Sequence, residues 1–321
     1  MALTAGRSTQ MSLPVTESPD TLQNLCLNYI ASKILSSSGS CEGVCANDTT
    51  HSAILQNSLR SSSGTFVHSN VADSLLSRMS ACRTLCNETM ELFQSGNTSL
   101  RHVVIHRSPV TAAGLRVLRS HKLITLIIES EDPKQFTVTD VMYCLNEWTV
   151  ANLRSLSVTG VNFVQAVGTP VVVSLCALRN LHSLDVSRTD FNENMLKIVV
   201  DDLPVLESID ISSTLVRDVT SLSQCRTRLR RLLMYNVRLN DSASCVNVLR
   251  SLCALQVLDV SRDPPSNSFT NMLTNHVTTT ELLHEGSEFH DLHSLDISGT
   301  PDVPIRLIRY QNIINFVFII T

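Results

Sequence analysis

The residues of this 321-residue chain that could do chemistry are its cysteines, histidines and aspartates. The cysteines form two close pairs, Cys41/Cys45 and Cys82/Cys86, with the spacing CxxxC. Structural zinc sites combine such thiols with further thiols or imidazoles at short spacing. No cluster of histidines accompanies either pair, so we predict no metal site.

Motifs for catalysis are missing as well. The sequence has no glycine-rich phosphate loop, no GxSxG elbow and no paired-histidine motif. The ten histidines are dispersed, and we expect two of them, His182 and His293, to be exposed polar residues. We therefore predict a protein that is not an enzyme and that binds no cofactor.

Four of the aspartates recur at one position of a repeated phrase, L-x-x-L/I-x-V/I-S-x-T/D. The phrase occurs at 181–189, 206–214, 255–263 and 292–300, and these aspartates are Asp185, Asp210, Asp259 and Asp296. Residues of a strand alternate between its two faces, so the carboxylates are expected to line up on one exposed surface. The row is either a binding surface for a basic ligand or a consensus feature of the repeat.

Apolar residues at the first, fourth and sixth positions of the phrase are the signature of a leucine-rich repeat. Weaker copies extend the series, and the leucines at the first position are Leu100, Leu123, Leu153, Leu181, Leu206, Leu229, Leu255 and Leu292. Most steps are 23 to 30 residues, as this class requires, and the last step of 37 holds an insertion. We predict an α/β leucine-rich repeat solenoid over residues 97–303, with Leu184 and Val186 in its core.

Polar residues between the strand phrases predict how the chain returns. Asn192 and Asp241 each precede an apolar helical pattern and can cap the first amides of a helix. The ninth position of the phrase holds Thr189, Thr214, Asp263 and Thr300, where a short polar side chain can hydrogen-bond the turning backbone.

Composition limits the class of partner. The chain is 43% hydrophobic and 4% aromatic, with a formal net charge of −4, which gives no electrostatic case for nucleic acid. The N-terminus has no apolar core of signal-peptide length, and the apolar run in 312–320 is too short to cross a bilayer. We expect reduced cysteines and a protein of the cytoplasm or nucleus that binds no membrane.

The region before the repeats, 18–96, is predicted to be helical, after a disordered segment at 1–17. Ser18-Pro19-Asp20 has the residue types of a helix start. The residues that follow place one apolar face on this first helix, and that face consists of Leu22, Leu25, Cys26, Tyr29, Ile30 and Ile34.

Two further helical patches are predicted after a Ser-rich insert at 36–64. One covers 67–79 and the other roughly 83–93, and the first has on one side Val71, Leu75, Leu76 and Met79. At the other end of the chain, the apolar tail 304–321 is atypical for a solenoid terminus. It either packs as a last strand or belongs to a fragment of a longer protein.

The first helix carries the pattern T-L-x-x-x-C-x-x-x-I, which resembles the box by which ubiquitin-ligase substrate receptors bind elongin C. Its key apolar residues lie at i, i+4 and i+8 on one face, as insertion into an apolar groove requires. The docking residues that the resemblance implies are Thr21, Leu22, Leu25, Cys26, Tyr29 and Ile30. An ordinary amphipathic helix would match the pattern too.

A box of this kind ahead of leucine-rich repeats resembles the Zyg-eleven/Zer-one family, the substrate receptors of cullin-2 RING ubiquitin ligases. The sequence of the repeats at 206–222 and 292–300 resembles this family as well. The resemblance covers about 18–303 of the chain. The resemblance implies three partners, namely elongin B/C, cullin-2 and a substrate protein. The alternative is a generic intracellular leucine-rich repeat scaffold that binds an unrelated partner.

In such receptors a cullin-2 box follows the first helix. The matching stretch here has apolar residues at Val67, Val71 and Leu75, whereas His68 replaces the usual proline. The resemblance implies that family members continue into an armadillo-like helical region and that this region recognises N-terminal glycine degrons. We expect this chain to hold the ligase-docking half of that architecture.

Overall fold

A parallel sheet that gains one strand per repeat forms the backbone of the fold. The computed structural model describes residues 67–132, 134–163, 172–263 and 291–298, together with Leu282, Phe289 and the backbone of 315–317. Over these residues nine strands pair in the order of the sequence, each parallel to the next. The strands are β1 His102–His106, β2 Thr125–Glu129, β3 Ser155–Thr159, β4 Ser183–Asp185, β5 Ser208–Asp210, β6 Arg231–Leu233, β7 Val257–Asp259, β8 Ser294–Asp296 and β9 Asn315–Val317.

Short helices carry the chain back from the end of one strand to the start of the next, as a parallel connection requires. The α-helices are α1 Ser69–Ala81, α2 Asn87–Met90, α3 Ala112–Leu115, α4 Val138–Tyr143, α5 Glu147–Asn152, α6 Val172–Leu175, α7 Glu193–Asp202 and α8 Ser242–Ser251. Turns of 3-10 helix cover Glu91–Phe93, Arg116–Ser120 and Thr220–Cys225.

The leucine at the first position of every repeat is buried, which confirms the predicted solenoid. All eight of these leucines are at most 1% exposed. The strands stack in register, so that Leu156 of β3 lies beside Leu184 of β4, which lies beside Ile209 of β5. A three-residue strand cannot bury its own apolar side chain, and stacking supplies that cover from the neighbouring repeats.

The two predicted helix caps and two of the four predicted turn residues are confirmed. The Asn192 side chain accepts from the amides of Asn194 and Met195, and the Asp241 side chain accepts from the amide of Ala243. The hydroxyls of Thr189 and Thr214 each donate to the carbonyl three residues earlier, at 2.6 Å in both cases. These hydrogen bonds fix the chain where each strand turns into its return segment. Asp263 instead accepts from the side chains of Tyr235 and Asn236, and Thr300 lies outside the described residues.

The turn after five of the described strands, β1 and β3 to β6, passes through a left-handed backbone conformation. Gly160 has φ +72°, and a Cβ at this position would lie 2.3 Å from the carbonyl oxygen of Ser130. Arg188 and Ser213 take the same conformation with φ +57° and +55°. Their amides donate to the next repeat, to the carbonyls of Ser212 and Tyr235, which extends the stacking beyond the strands.

Two helical predictions need correction. The patch expected over 83–93 begins only at Asn87, because Arg83 turns the chain with φ +56°, and it ends as a 3-10 helix. Val71 was expected to share a side with the buried Leu76 and Met79, yet it is 42% exposed. The buried side of α1 instead includes Ala72, one position further along the helix.

Several predicted segments fall outside the described residues. These are the segment 1–17, the first helix at 18–35, the Ser-rich insert at 36–64 and most of the insertion before Leu292. Within the apolar tail, the structure describes β9, which pairs with β8 in the register Ser294↔Asn315.

The buried leucine column predicts that replacing two leucines of the same repeat by alanine changes the free energy of unfolding by very different amounts. Leu206→Ala removes a side chain that is 0% exposed and should lower the free energy of unfolding by about 2–5 kcal/mol. Leu215→Ala is the matched control, because that side chain is 55% exposed and its loss should cost less than about 0.5 kcal/mol. Urea denaturation measures both, and equal losses would contradict the assigned register.

Candidate functional site

The outer side of α1 carries the residues that the sequence predicts to contact a cullin. Val71 is 42% exposed, His68 is exposed, and Val67 and Leu75 are half-buried. Val71 and Leu75 lie one turn apart on α1, whereas Val67 lies ahead of the helix in a bridge to Thr98. Val67 and Leu75 pack partly against the core and Val71 projects into solvent; we call these three residues the α1 stripe.

His68 occupies the position where the resemblance leads one to expect proline. Its φ of −62° and ψ of 154° place it in extended backbone immediately before α1. The proline ring locks φ near −65°, so the backbone at His68 already has the dihedral that a proline would impose. His68 therefore enters the helix with a backbone conformation that a proline at this position could also adopt.

The inner side of α1 is fixed to the first strand by a carboxylate. The two oxygens of Asp73 accept from the amides of Arg101 and His102, at 3.0 and 3.1 Å. These amides belong to the start of β1, the first strand of the sheet among the described residues. Burial raises the pKa of the Asp73 carboxyl, and the two amide hydrogen bonds act in the opposite direction.

A serine holds the other end of α1 against the same strand. The Ser80 hydroxyl accepts from the amide of His106 at 2.6 Å. Val67, ahead of the helix, pairs with Thr98 in an isolated parallel bridge. Sequence reasoning missed Asp73 and Ser80, although both are polar residues on the apolar side of a helical pattern, and that placement is the signal that could have identified them.

His121 joins the helical region to the second repeat. Its ring is 3% exposed, and its Nε2 lies 2.6 Å from the carbonyl oxygen of Phe93 while its Nδ1 lies 3.2 Å from the amide of Leu100. Because the amide donates, Nδ1 must be the acceptor, so the imidazole is neutral and carries its proton on Nε2. Burial lowers the pKa of His121.

The residues predicted to bind elongin C lie outside the described residues. These are Thr21, Leu22, Leu25, Cys26, Tyr29 and Ile30. The described chain begins at Val67, so the position of the first helix relative to the α1 stripe stays a prediction.

The aspartate row on the exposed face of the sheet is real but interrupted. Asp185 lies beside Asp210, and Asp259 lies beside Asp296, but Leu233 of β6 separates the two pairs. Each aspartate accepts from the amide two residues further along, at 2.9 Å. The carboxylates therefore stabilise the strand ends, which favours the consensus role over a ligand site.

The environment of these carboxylates changes their acidity. Burial raises the pKa of Asp210 and of Asp259. Neighbouring carboxylates add to the effect, because Asp185 and Asp259 face Asp210 across the sheet. Asp185 also accepts from the hydroxyls of Ser157 and Thr159, at 2.8 and 3.0 Å.

An ion-pair cluster that the sequence did not predict spans three repeats. Arg107 and Arg188 both donate to Oε1 of Glu129, at 3.0 and 2.6 Å, and His106 Nδ1 lies 3.1 Å from Oε2. Although burial alone acts to raise the pKa of Glu129, hydrogen bonds from the two guanidinium groups hold it below its usual value. The cluster links the turns of the first, second and fourth strands.

Metal sites and membrane spans are both missing from the part of the chain that the structure describes. In this part of the chain no group of three or more His, Cys, Asp or Glu side chains is arranged to hold a metal ion. Cys82 is exposed and Cys86 half-buried, and both are free thiols. None of the described helices is long and apolar enough to cross a membrane.

Solved structures with a similar chain path share little sequence with this protein. Internalin C2 from Listeria monocytogenes strain 4b F2365 is 15% identical, with 72% of this chain and 84% of that chain covered and a TM-score of 0.43. Internalin InlF of the same strain is 14% identical over 75% and 76%, with a TM-score of 0.42. A chain of the yeast Rad7 and Elc1 complex is 18% identical over 88% and 60%, with a TM-score of 0.40.

The stacked parallel strands and the buried leucine column define a leucine-rich repeat protein. Within this class, residues 215–301 match the family model for Zer-1-like leucine-rich repeats. The matched region includes β6, β7 and β8. The resemblance of the repeats to Zer-1-like proteins is therefore supported over residues 215–301.

The buried neutral His121 predicts how stability depends on pH. Its pKa is lowered in the folded state, so below about pH 6.5 the unfolded chain binds a proton that the folded chain does not. The free energy of unfolding should then fall as the pH falls from 6.5 to the folded-state pKa, by at most about 1.4 kcal/mol per pH unit for this residue.

Urea denaturation of two variants between pH 7.5 and 5 isolates this contribution. His121→Gln keeps an acceptor and a donor in the pocket but cannot titrate, so its pH slope should be smaller than that of the wild type. His182→Gln is the matched control, because His182 is exposed. A wild-type slope in His121→Gln would refute the neutral buried assignment.

Proposed function

We propose that this chain is a non-catalytic adaptor in a cullin-2 RING ubiquitin ligase. Its first helix docks elongin C, with elongin B bound to it, and the α1 stripe contacts cullin-2. The observation that carries the proposal is the exposed Val71 on a helix that packs against the first repeat, in a chain whose residues 215–301 match Zer-1-like repeats. Such a subunit would work in the cytoplasm or nucleus and would need no cofactor.

The elongin C contact rests on the pattern of the first helix. Leu22, Cys26 and Ile30 recur every four residues and give a narrow apolar face. An amphipathic helix binds a groove through anchors of this spacing. Cysteine suits a confined pocket, because its side chain is small and apolar.

The cullin contact rests on the exposed face of α1. Exposing Val71 to water has no benefit for the isolated chain, since burial of a valine stabilises by about 1.5–3 kcal/mol. Val71 stays in solvent beside Val67 and Leu75, which are only partly covered by the core, so a partner that covered all three would bury a continuous apolar surface. His68 adds a polar group at the edge of this surface.

The repeats would act as a rigid spacer between the ligase and a captured substrate protein. The apolar core is continuous from Ala72 and Leu76 of α1 into Leu100 and Val103 of the first repeat. Asp73 adds hydrogen bonds across the same junction. A helix joined to the solenoid in this way transmits the orientation of a docked cullin to the whole sheet.

A second candidate function is a generic leucine-rich repeat scaffold. It is favoured by the open face of the sheet, where short polar side chains such as Ser183 and Ser208 leave room for a partner. Deleting residues 1–66 separates the two, because partner binding to the sheet would survive and elongin C binding would not. The deletion should stop before Val67, since the following helix covers β1.

The first prediction of the adaptor proposal concerns elongin C. In a pull-down with elongin B/C, the wild type should be recovered, and Leu22→Ser/Cys26→Phe should not be, because the double variant loses one anchor and overfills the pocket of another. Asn28→Ser on the same predicted helix is the control and should bind normally. Equal recovery of the wild type and the double variant would remove the adaptor proposal.

The second prediction concerns cullin-2. Val71→Asp should weaken binding of the elongin-loaded protein about ten- to a hundredfold, because a buried valine contributes about 1.5–3 kcal/mol. Asn70→Asp adds the same charge at the neighbouring exposed position and should leave affinity within about twofold. Surface-immobilised cullin-2 measures both, and unchanged affinity in Val71→Asp would place the cullin contact elsewhere.

A further inference from the structure

Two aromatic side chains stand exposed on the return side of the second repeat. Among the described residues, four large apolar side chains are exposed, and Tyr143 at 75% and Trp148 at 37% are two of them. Tyr143 ends α4 and Trp148 lies in the first turn of α5. Five residues reach about 17 Å at full extension, so both rings lie within the span of one contact surface.

Basic side chains lie near the Trp148 ring and on the preceding 3-10 helix. The Lys122 ammonium lies 5.8 Å from the centroid of the Trp148 ring. The Asn146 amide group donates to the carbonyls of Arg119 and His121, at 2.8 and 2.7 Å, which holds the end of the preceding 3-10 helix against the start of α5. The side chain of Arg119 is exposed on that 3-10 helix.

A third cation and two carboxylates complete the charge distribution. Arg116, also exposed, lies with Arg119 within electrostatic range of the Cys144 thiol at the end of α4. Asp140 is engaged in the helix cap, where it accepts from the amide and hydroxyl of Thr137 at 2.8 Å each. Glu147 is the other carboxylate here, so cations outnumber acids around the rings.

We propose that this surface binds an acidic segment of a partner protein. We call it the aromatic–basic surface, and it consists of Arg116, Arg119, Lys122, Tyr143 and Trp148. Aromatic and arginine side chains are the residues that carry binding energy at protein interfaces. Guanidinium groups pair with carboxylates in a forked geometry, and the exposed positive charges would speed association with an acidic partner.

A protein segment fits this surface better than a nucleic acid. Its three cations could make few of the phosphate contacts on which nucleic-acid binding depends, whereas a few aromatic and arginine anchors suffice for a protein segment. The surface lies on the return side of the repeats and α1 lies over the edge of β1. Binding there therefore does not use the residues of the α1 stripe.

The chain provides its own reporter for this surface. Trp148 is the single tryptophan among 321 residues, so any change in tryptophan fluorescence arises here. The probe is a peptide of alternating Glu and Leu without aromatic residues, titrated into the full chain at low salt, with a Gln–Leu peptide as its control. We expect a saturable change with the Glu peptide alone, about tenfold weaker binding in Tyr143→Ala, and weakening by added salt.

Charge variants test the direction of the effect. Arg119→Glu combined with Lys122→Glu should weaken binding of the Glu peptide at least tenfold, and Glu147→Gln should strengthen it two- to threefold, on the order of one surface charge interaction. Leu215→Ala, at an exposed apolar residue in another repeat, should leave affinity unchanged. Circular dichroism confirms that each variant is folded.

Three results would overturn the proposal. They are the absence of any fluorescence change at millimolar peptide, an equal response to the Gln–Leu peptide, and tighter binding of oligothymidylate than of the Glu peptide. If the double charge reversal does not fold, Glu147→Gln and the salt dependence still decide the question, since neither depends on that variant.

Discussion

The first strand of a stacked parallel sheet has one edge with no repeat to cover it, and the rest of this structure depends on how that edge is closed. Strand amides and a column of apolar side chains would otherwise face water at β1. Here α1 lies along the strand, Asp73 takes two of the amides and Ser80 takes a third. The leucine column behind them can then continue through every repeat.

This closure also explains why α1 has two different sides. The side that covers β1 must be apolar and must carry acceptors for its amides. On the opposite side Val71 is exposed, and Val67 and Leu75 are only partly covered by the core. A helix that serves as an end cap and also displays an apolar stripe is suited to join the solenoid to another protein without a flexible hinge. The buried His121 strengthens the same junction from the repeat side.

The polar features of the sheet are mostly used to shape the repeats. Aspartates that look like a ligand site in the sequence accept amides two residues further on, and threonines at the ninth position close the following turn. The Glu129 cluster links turns from three repeats. By contrast, the exposed rings of Tyr143 and Trp148 have no counterpart in the other described repeats. Exposed aromatic side chains that do not recur from repeat to repeat are therefore the best candidates for contact with a partner.

Sequence alone determined the repeat, its register and its helix caps, because each depends on residues close together in the chain. The leucines that recur from Leu100 onward could be placed inside by strand alternation, and Asn192 could be placed at a helix start by its side chain. The resemblance of the repeats to the Zyg-eleven/Zer-one family is likewise a property of the sequence alone.

Only the tertiary structure decided which side of α1 is buried and what the buried polar residues do. In sequence, positions 71, 72, 75 and 76 are all apolar, so the pattern allows more than one assignment of the inner face, and Val71 was placed on the wrong side. The choice depends on β1, whose free amides need Asp73 and therefore set the rotation of the helix. The rotation of α1 therefore depends on contacts between residues almost thirty positions apart in the chain, and local periodicity carries no information about them.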